Sequence, residues 1–463
     1  MNADPSRPLN TPEPASGTEP KGFLRSVLVL VSGTALGHGI TAASMPVLSR
    51  LYGPADFGLL AVFASCLGIL SVIACLRFEL AIPLPKSTQE SGDLLRLSLV
   101  CCAALSLLIG LPVWLWPAPI AKLLGQAALA PYLGLLPLGV LLAGSYSAFQ
   151  FWHVREKRFN WLAQTRVGQS AGSAATQIGM GIAGIGPIGL LLGHVMNTGV
   201  ACVALGGALR RAEPWPTVSR LRQLARTYRR FPLWSTPEAL ANSAALHIPV
   251  ILIAAAVAPA EAGYLTMALF VIQAPMSLIG TAIGHVYVSQ APAALREQRL
   301  GPFTAEVFSG LWRAGAGPLL ALGILSPLLF EPVFGDGWSR AGWLVTWMTP
   351  WFIAQFLAVP LSMALHVTGH QSIALILQTA GLILRIGLVA SASLWAPGRE
   401  AESYAVSGAV FYTVYLLVIL RVTGAAKENP LAELAKSSKQ LAHWLLFALC
   451  FAGVILAITS LGA

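Results

Sequence analysis

The sequence predicts an all-α polytopic membrane protein. It reads as two six-helix bundles related by a pseudo-two-fold axis along the membrane normal, with one additional helix at the carboxyl end. Three observations carry this. Mean hydropathy is +0.70 and only 10% of residues are charged, against roughly 25% in a soluble domain. About thirteen apolar runs reach the ~20 residues needed to cross the hydrocarbon core. A short pattern also repeats: Pro54-Ala55-Asp56-Phe57-Gly58-Leu59-Leu60 returns 205 positions later as Pro259-Ala260-Glu261-Ala262-Gly263-Tyr264-Leu265. About six runs separate the copies, and an even number restores both the side of the bilayer and the chain direction.

Along the chain, residues 1–22 hold five prolines and no apolar stretch. They read as a disordered cytoplasmic tail and not as a signal peptide. The first lobe, 23–209, contains runs at 24–47, 58–84, 93–116, 129–152, 160–184 and 186–208. Residues 210–232 form a linker with Arg210, Arg211, Arg220, Arg222, Arg226, Arg229 and Arg230. Leu221, Leu224 and Tyr228 recur there at helical spacing, which predicts a short helix lying on the inner leaflet and held by anionic lipid. A partner-docking or regulatory role is the other reading of the same charges. The second lobe, 233–424, holds runs at 233–258, 262–288, 303–330, 340–366, 371–395 and 402–423. Residues 425–463 supply an amphipathic connector and a thirteenth run at 441–461.

Charge placement orients the chain. Of 29 lysines and arginines, all but eight fall on one side when the amino terminus is cytoplasmic, as the positive-inside rule expects. The exceptions are Arg50, Lys122, Arg340 and Arg399 at outer positions, and Arg77, Arg166, Arg313 and Arg385 within spans. The net charge of +10 is therefore topological, and nucleic acid is not an expected partner. The six cysteines lie in apolar runs without metal-ligand spacing, so neither a disulfide framework nor a metal site is expected.

Catalytic signatures are missing. Gly179-Met180-Gly181-Ile182-Ala183-Gly184 matches a dinucleotide fingerprint in letters only: it ends a membrane span, and the next acid is Glu213. The fingerprint needs a preceding strand and an acid about 20 residues on. No Walker loop, nucleophile elbow or paired-acid pattern occurs, so no cofactor and no enzymatic activity are expected.

The intramembrane charges carry more information, because arginine near the bilayer centre costs ~2.5–3.5 kcal/mol on insertion scales. Four arginines face two clear acids, Glu79 and Glu238, which predicts a cationic cavity for an anionic ligand. Arg166, Gln169, Ser173 and Gln177 share one helix face and predict a cavity wall, with interhelical polar bonding as the alternative. Arg77 and Glu79, two positions apart, should point to different faces of a helix, each needing its own partner. Arg77 then suits a ligand-facing or gating role, and a structural ion pair is the alternative. Glu238 and Asn242 share a face; Glu238 suits ion coupling, and helix capping or pairing with Arg230 explains it as well. Trp343, Trp347 and Trp351, spaced four apart, read as interfacial or packing residues more readily than as a sugar platform. His38, His194 and His285 stand alone on their spans and read as packing residues.

Four short stretches then share a recognisable pattern. They are Arg50-Leu51-Tyr52-Gly53-Pro54-Ala55-Asp56-Phe57-Gly58, Arg77-Phe78-Glu79-Leu80-Ala81-Ile82-Pro83-Leu84-Pro85, Tyr228-Arg229-Arg230-Phe231-Pro232, and Phe334-Gly335-Asp336-Gly337-Trp338 with Ala341-Gly342. In this order, over roughly residues 22–424, the chain resembles bacterial polysaccharide and O-antigen flippases of the multidrug/oligosaccharidyl-lipid/polysaccharide exporter superfamily. The resemblance implies two six-helix bundles around a central cavity. It also implies transfer of undecaprenyl-diphosphate-linked oligosaccharide, an O-antigen or exopolysaccharide repeat unit, across the bacterial inner membrane by alternating access. Partners implied are that glycan lipid, membrane lipids, a polysaccharide polymerase and glycosyltransferases.

Candidate substrate contacts are Arg77, Arg166 and Arg385 for the diphosphate, and Gln150, Gln169, Gln177 and Asn242 for sugar hydroxyls. Glu79 and Glu238 are candidates for ion coupling. Two departures stand out: related lipid II flippases place arginines inside the first span, where this chain has only His38, and the thirteenth run exceeds a twelve-helix core. A multidrug cation antiporter of the same superfamily would require acid-lined lobes. A glycan polymerase or ligase would require a large outer loop, yet the longest external connector is about a dozen residues.

Overall fold

The computed structural model describes residues 20–206, 215–428 and 438–461. Most of the predicted tail, the start of the linker (Arg210, Arg211) and the connector at 429–437 lie outside the described residues. The first half contains α1 (Pro20–Leu51), α2 (Pro54–Ile73), α3 (Thr88–Leu115), the short α4 (Pro117–Leu123), α5 (Leu135–Arg155), α6 (Phe159–Ile182) and α7 (Ile188–Leu205). The linker helix α8 (Val218–Thr227) leads to the second half. That half comprises α9 (Thr236–Ala256), α10 (Pro259–Arg296), α11 (Leu300–Leu311), α12 (Gly317–Phe334), α13 (Ser339–Leu361), the short α14 (Met363–Val367), α15 (Gln371–Trp395) and α16 (Glu400–Thr423). The last helix is α17 (Ser438–Leu461).

Among the described residues, nine segments are long and apolar enough to span a membrane. The polar residues along α6 keep it below that apolarity, although its 24 residues reach ~36 Å at 1.5 Å per residue. This is a multi-pass membrane protein.

The packing repeats between halves. In the first lobe α1 lies on α6, α6 on α7, α7 on α5, and α5 on α3 and α2. In the second lobe α9 lies on α15, α15 on α16, α16 on α13, and α13 on α12 and α10. Substituting each helix for its counterpart turns one description into the other, and α2 meets α10 at the axis between them.

The repeated sequence pattern sits on that axis. Proline opens α2 and α10, where its missing N–H costs nothing. A Cβ added to Gly58 would collide with the Pro259 carbonyl oxygen, and one added to Gly263 would collide with the Pro54 carbonyl oxygen and lie 2.9 Å from Gly58 N. The two copies therefore touch each other, and glycine is required because backbone meets backbone.

The symmetry is incomplete. Ser243 of α9 donates to the Gly68 carbonyl of α2 at 3.0 Å, and the His247 ring covers Gly68. The corresponding pair, α1 and α10, barely touches.

Two peripheral helices differ from expectation or extend it. The apolar stripe of α8 faces protein, not lipid: Leu224 is 1% exposed, packed where α8 meets α3. Arg220 bonds Asp93 at 3.2 Å, and the Tyr228 hydroxyl donates to Glu90 at 3.0 Å. The acids at the start of α3 thus hold the linker, while Arg222, Arg226, Arg229 and Arg230 remain exposed. The thirteenth helix, α17, runs parallel to α12. Trp444 covers Gly317, and Ala448 packs with Ala321 and Leu325. Each four-residue step on one helix answers a step on the other.

Candidate functional site

Arginine placement at the end of α2 differs from the helical expectation. The helix stops at Ile73, Leu76 and Arg77 take φ of 51° and 61°, and a 3-10 turn follows over Phe78–Ala81. Non-glycine residues in this left-handed region are uncommon and mark strain. The reversal swings Arg77 back, so that it lies 3.7 Å from Glu79. The two residues therefore do pair, because a helix no longer separates them. Glu79 is 3% exposed, and its second carboxylate oxygen and Arg77 Nε lack hydrogen-bond partners. The Cys75 thiol anchors the turn by donating to Gly144 of α5 at 3.3 Å.

Further along α5, Tyr146 and Gln150 occupy one face, one turn apart. The Arg166 guanidinium of α6 lies 5.6 Å from the Tyr146 ring centre, and Gln169, one turn along α6 from Arg166, is buried. Arg166 and Tyr146 thus meet between α6 and α5, with Gln169 one turn along α6 and the half-buried Gln150 one turn along α5. The far part of the α6 polar face serves lobe packing. Gln177 donates to the Leu190 carbonyl of α7 at 3.2 Å, and Gly193 lets α7 approach Gln177 and Ser173. Gln177 is therefore held inside the lobe in this conformation.

The other candidates do not join them. Glu238 and Asn242 are exposed on the basic-end half of α9, and Glu238 forms no ion pair among the described residues. Arg385 lies within the second lobe, 2% exposed, with its guanidinium 4.8 Å and 5.7 Å from the Phe411 and Tyr412 rings. Two of its nitrogens have no hydrogen-bond partner. Trp351 is buried against Phe352 and Tyr404, whereas Trp343 and Trp347 are exposed, so the three form no common platform. His194 is half-buried and His38 exposed.

The end of the molecule opposite the basic face is closed by residues to which sequence patterns assign no role. Arg50 donates to Val333 and Pro332 carbonyls at 2.7 and 3.0 Å. The Trp338 indole N–H donates to Ser49 at 3.1 Å. Its ring is 1% exposed, set edge-on to Phe57 and Tyr264. Arg340 joins Glu261 of α10 and Glu402 of α16 at 2.7 and 2.6 Å. Gln126 also donates to Ala254 across the lobes at 3.4 Å. The signal was present in the stretches around Arg50 and Trp338, but their mutual contact is visible only in three dimensions.

A comparison with family profiles matches residues 47–341, more than half the chain, to a family described as polysaccharide biosynthesis protein. The chain belongs to that family. Solved structures give the same fold. The lipid II flippase MurJ, in an inward closed conformation, aligns with a TM-score of 0.66 at 14% identity, covering 94% of this chain and 98% of that one. An inward-facing multidrug resistance MATE transporter aligns at 0.52 and 12% identity, covering 87% and 96%. A transporter of the same superfamily from Pyrococcus furiosus, described as having a binding pocket of reverse polarity that suggests a different function, aligns at 0.53 and 14%, covering 87% and 96%. None of the curated proteins compared with this sequence matches it. At such identities the likeness establishes the two-lobe architecture.

Proposed function

We propose that this protein translocates an undecaprenyl-diphosphate-linked oligosaccharide, an O-antigen or exopolysaccharide repeat unit, across the bacterial inner membrane by alternating access. The amino terminus is cytoplasmic in this reading, and the protein acts as a flippase, not an enzyme. One observation carries it: among the described residues, Arg166, Arg313 and Arg385 form no ion pair, although Arg313 and Arg385 lie within apolar spanning segments and Arg166 within the long helix α6. Uncompensated guanidinium groups at membrane depth favour an anionic substrate. Membership in a polysaccharide biosynthesis family supplies the substrate class, and the fold shared with MurJ supplies a precedent for a lipid-linked one.

The far-end contacts support a state closed on that side, with entry from the basic side. The diphosphate meets Arg166, and Arg77 as the Arg77–Glu79 pair opens. Gln169, one turn from Arg166, and Gln150, one turn from Tyr146, take sugar hydroxyls, and Asn242 takes them from α9. Gln177 becomes available only if α6 and α7 shift. Arg385 acts from the second lobe, and Glu79 or Glu238 couples the cycle to an ion.

The test is flipping by Arg77→Ala and Arg166→Ala proteins, reconstituted at equal levels. A large loss of rate is expected in each. Wild-type rates in both would remove the proposed diphosphate site. A multidrug cation antiporter is the alternative, and it predicts transport of organic cations that these substitutions leave intact or improve.

A further inference from the structure

We infer that the second lobe carries a lateral site, between α10 and α11, that receives the diphosphate and first sugar of the substrate through Arg313, Glu306 and Gln290. This rests on the proposed function for the identity of the ligand. The site itself rests on geometry.

The two helices meet at a tight turn, where Gln298 has φ of 57°, and then diverge. Between them lies a pocket of about 1040 Å³, whose lining among the described residues comes from the second lobe. Neither Arg166 nor Tyr146 is among those lining residues. Arg313 sits in it roughly 20 Å along the axis from the start of α11, inside the 35-residue apolar segment Leu300–Phe334. An exposed guanidinium at that depth is costly unless water or an anion meets it. Its Nε only returns to the Ser309 carbonyl of its own helix, at 3.3 Å, and it has no ion pair among the described residues.

The local backbone is also unusual. Arg313 falls in a π-helical turn, Trp312–Ala316, a departure found frequently at functional sites. Beside it, Gln440 of α17 donates to the Arg313 carbonyl at 3.1 Å. The thirteenth helix thus braces the backbone of this turn, from the side away from the pocket lining.

The lining is graded from depth to mouth. Arg313 lies deepest, Glu306 and Gln290 come next, and the Glu297–Arg299 pair, 3.7 Å apart, stands at the mouth. Ile283, Phe303 and Val307 supply apolar surface along the way. A polyprenyl diphosphate sugar lying in the basic-side leaflet has the same order, with its chain toward the bilayer centre, then diphosphate, then sugar. Arginine suits the diphosphate by charge-assisted hydrogen bonds, while carboxylate and amide groups suit sugar hydroxyls.

The experiment measures binding to the purified full-length chain in detergent. The probes are a short-chain polyprenyl diphosphate carrying one sugar, the same diphosphate without sugar, and phosphatidylglycerol. Arg313→Gln should weaken both diphosphates about tenfold and leave phosphatidylglycerol nearly unchanged. Arg313→Lys should recover part of the affinity and serve as a control for folding. Glu306→Gln should reduce the preference for the sugar-bearing probe.

Unchanged diphosphate binding in Arg313→Gln would overturn the site. Phosphatidylglycerol binding that falls with the diphosphates would overturn it too, in favour of a bulk-lipid pocket. Flipping by the wild type, measured in parallel, separates the two levels of the argument. Wild-type flipping with normal Arg313→Gln binding sinks only this site, whereas no wild-type flipping sinks the proposed function.

Discussion

Gly58→Ala tests whether the far-end closure is one of two alternating states. The new methyl would occupy the place of the Pro259 carbonyl oxygen, so α2 and α10 must separate by about 1 Å or more to restore normal packing. Overpacking of this kind costs ~1–3 kcal/mol. If the contact exists only in the far-closed state, the whole cost falls there and shifts the equilibrium about 5- to 150-fold toward far-side opening. The same separation stretches the Trp338–Ser49 bond of 3.1 Å and the Arg50–Val333 bond of 2.7 Å.

Spin labels at Val47 and Val333, both exposed, report the opening by double electron–electron resonance in a cysteine-replaced background. A longer-distance population should grow in Gly58→Ala. Gly263→Ala should reproduce it, because its methyl meets the Pro54 carbonyl in the same contact. The two effects should add less than fully, since they share one interface. Distance distributions identical to wild type in both variants would refute the reasoning.

Other outcomes are as specific. Asp93→Ala removes the carboxylate shared by Arg96 and Arg220, so the melting temperature should fall, and proteolysis near α8 should accelerate. Arg385→Met replaces a buried cation that has two unpartnered nitrogens. Thermal stability should hold or rise while transport falls, and a loss of both would make Arg385 purely structural. Gly317→Leu puts a large side chain where Trp444 rests. It should release α17, seen as faster labelling of a cysteine placed at the buried Ala448, while the twelve-helix core keeps its helix content by circular dichroism.

Much of the architecture was legible because hydropathy and the even-numbered repeat are properties of the chain alone. The exact partners were not. Hydropathy extended the second run to residue 84, since it cannot register the left-handed turn at Leu76 and Arg77 that ends α2 at Ile73. For the same reason the Arg77–Glu79 pairing was hidden. The spacing of Leu221, Leu224 and Tyr228 revealed an amphipathic linker, but not that Glu90 and Asp93 would draw its apolar side onto α3. On α6 the polar face was plain, yet its division between the Tyr146 contact and the α7 contact depends on Gly193 and Leu190. Arg313 was visible as a charge within a span, whereas its exposure in a pocket was not.

Transbilayer movement of a fluorescent undecaprenyl-diphosphate-linked oligosaccharide, in vesicles containing only the purified chain, is the most direct measurement. The account predicts movement well above protein-free vesicles, retained when the sugar is varied modestly and lost when the diphosphate is replaced by a neutral linkage. Movement at the protein-free rate under either direction of ion gradient, together with export of organic cations by the same vesicles, would contradict it.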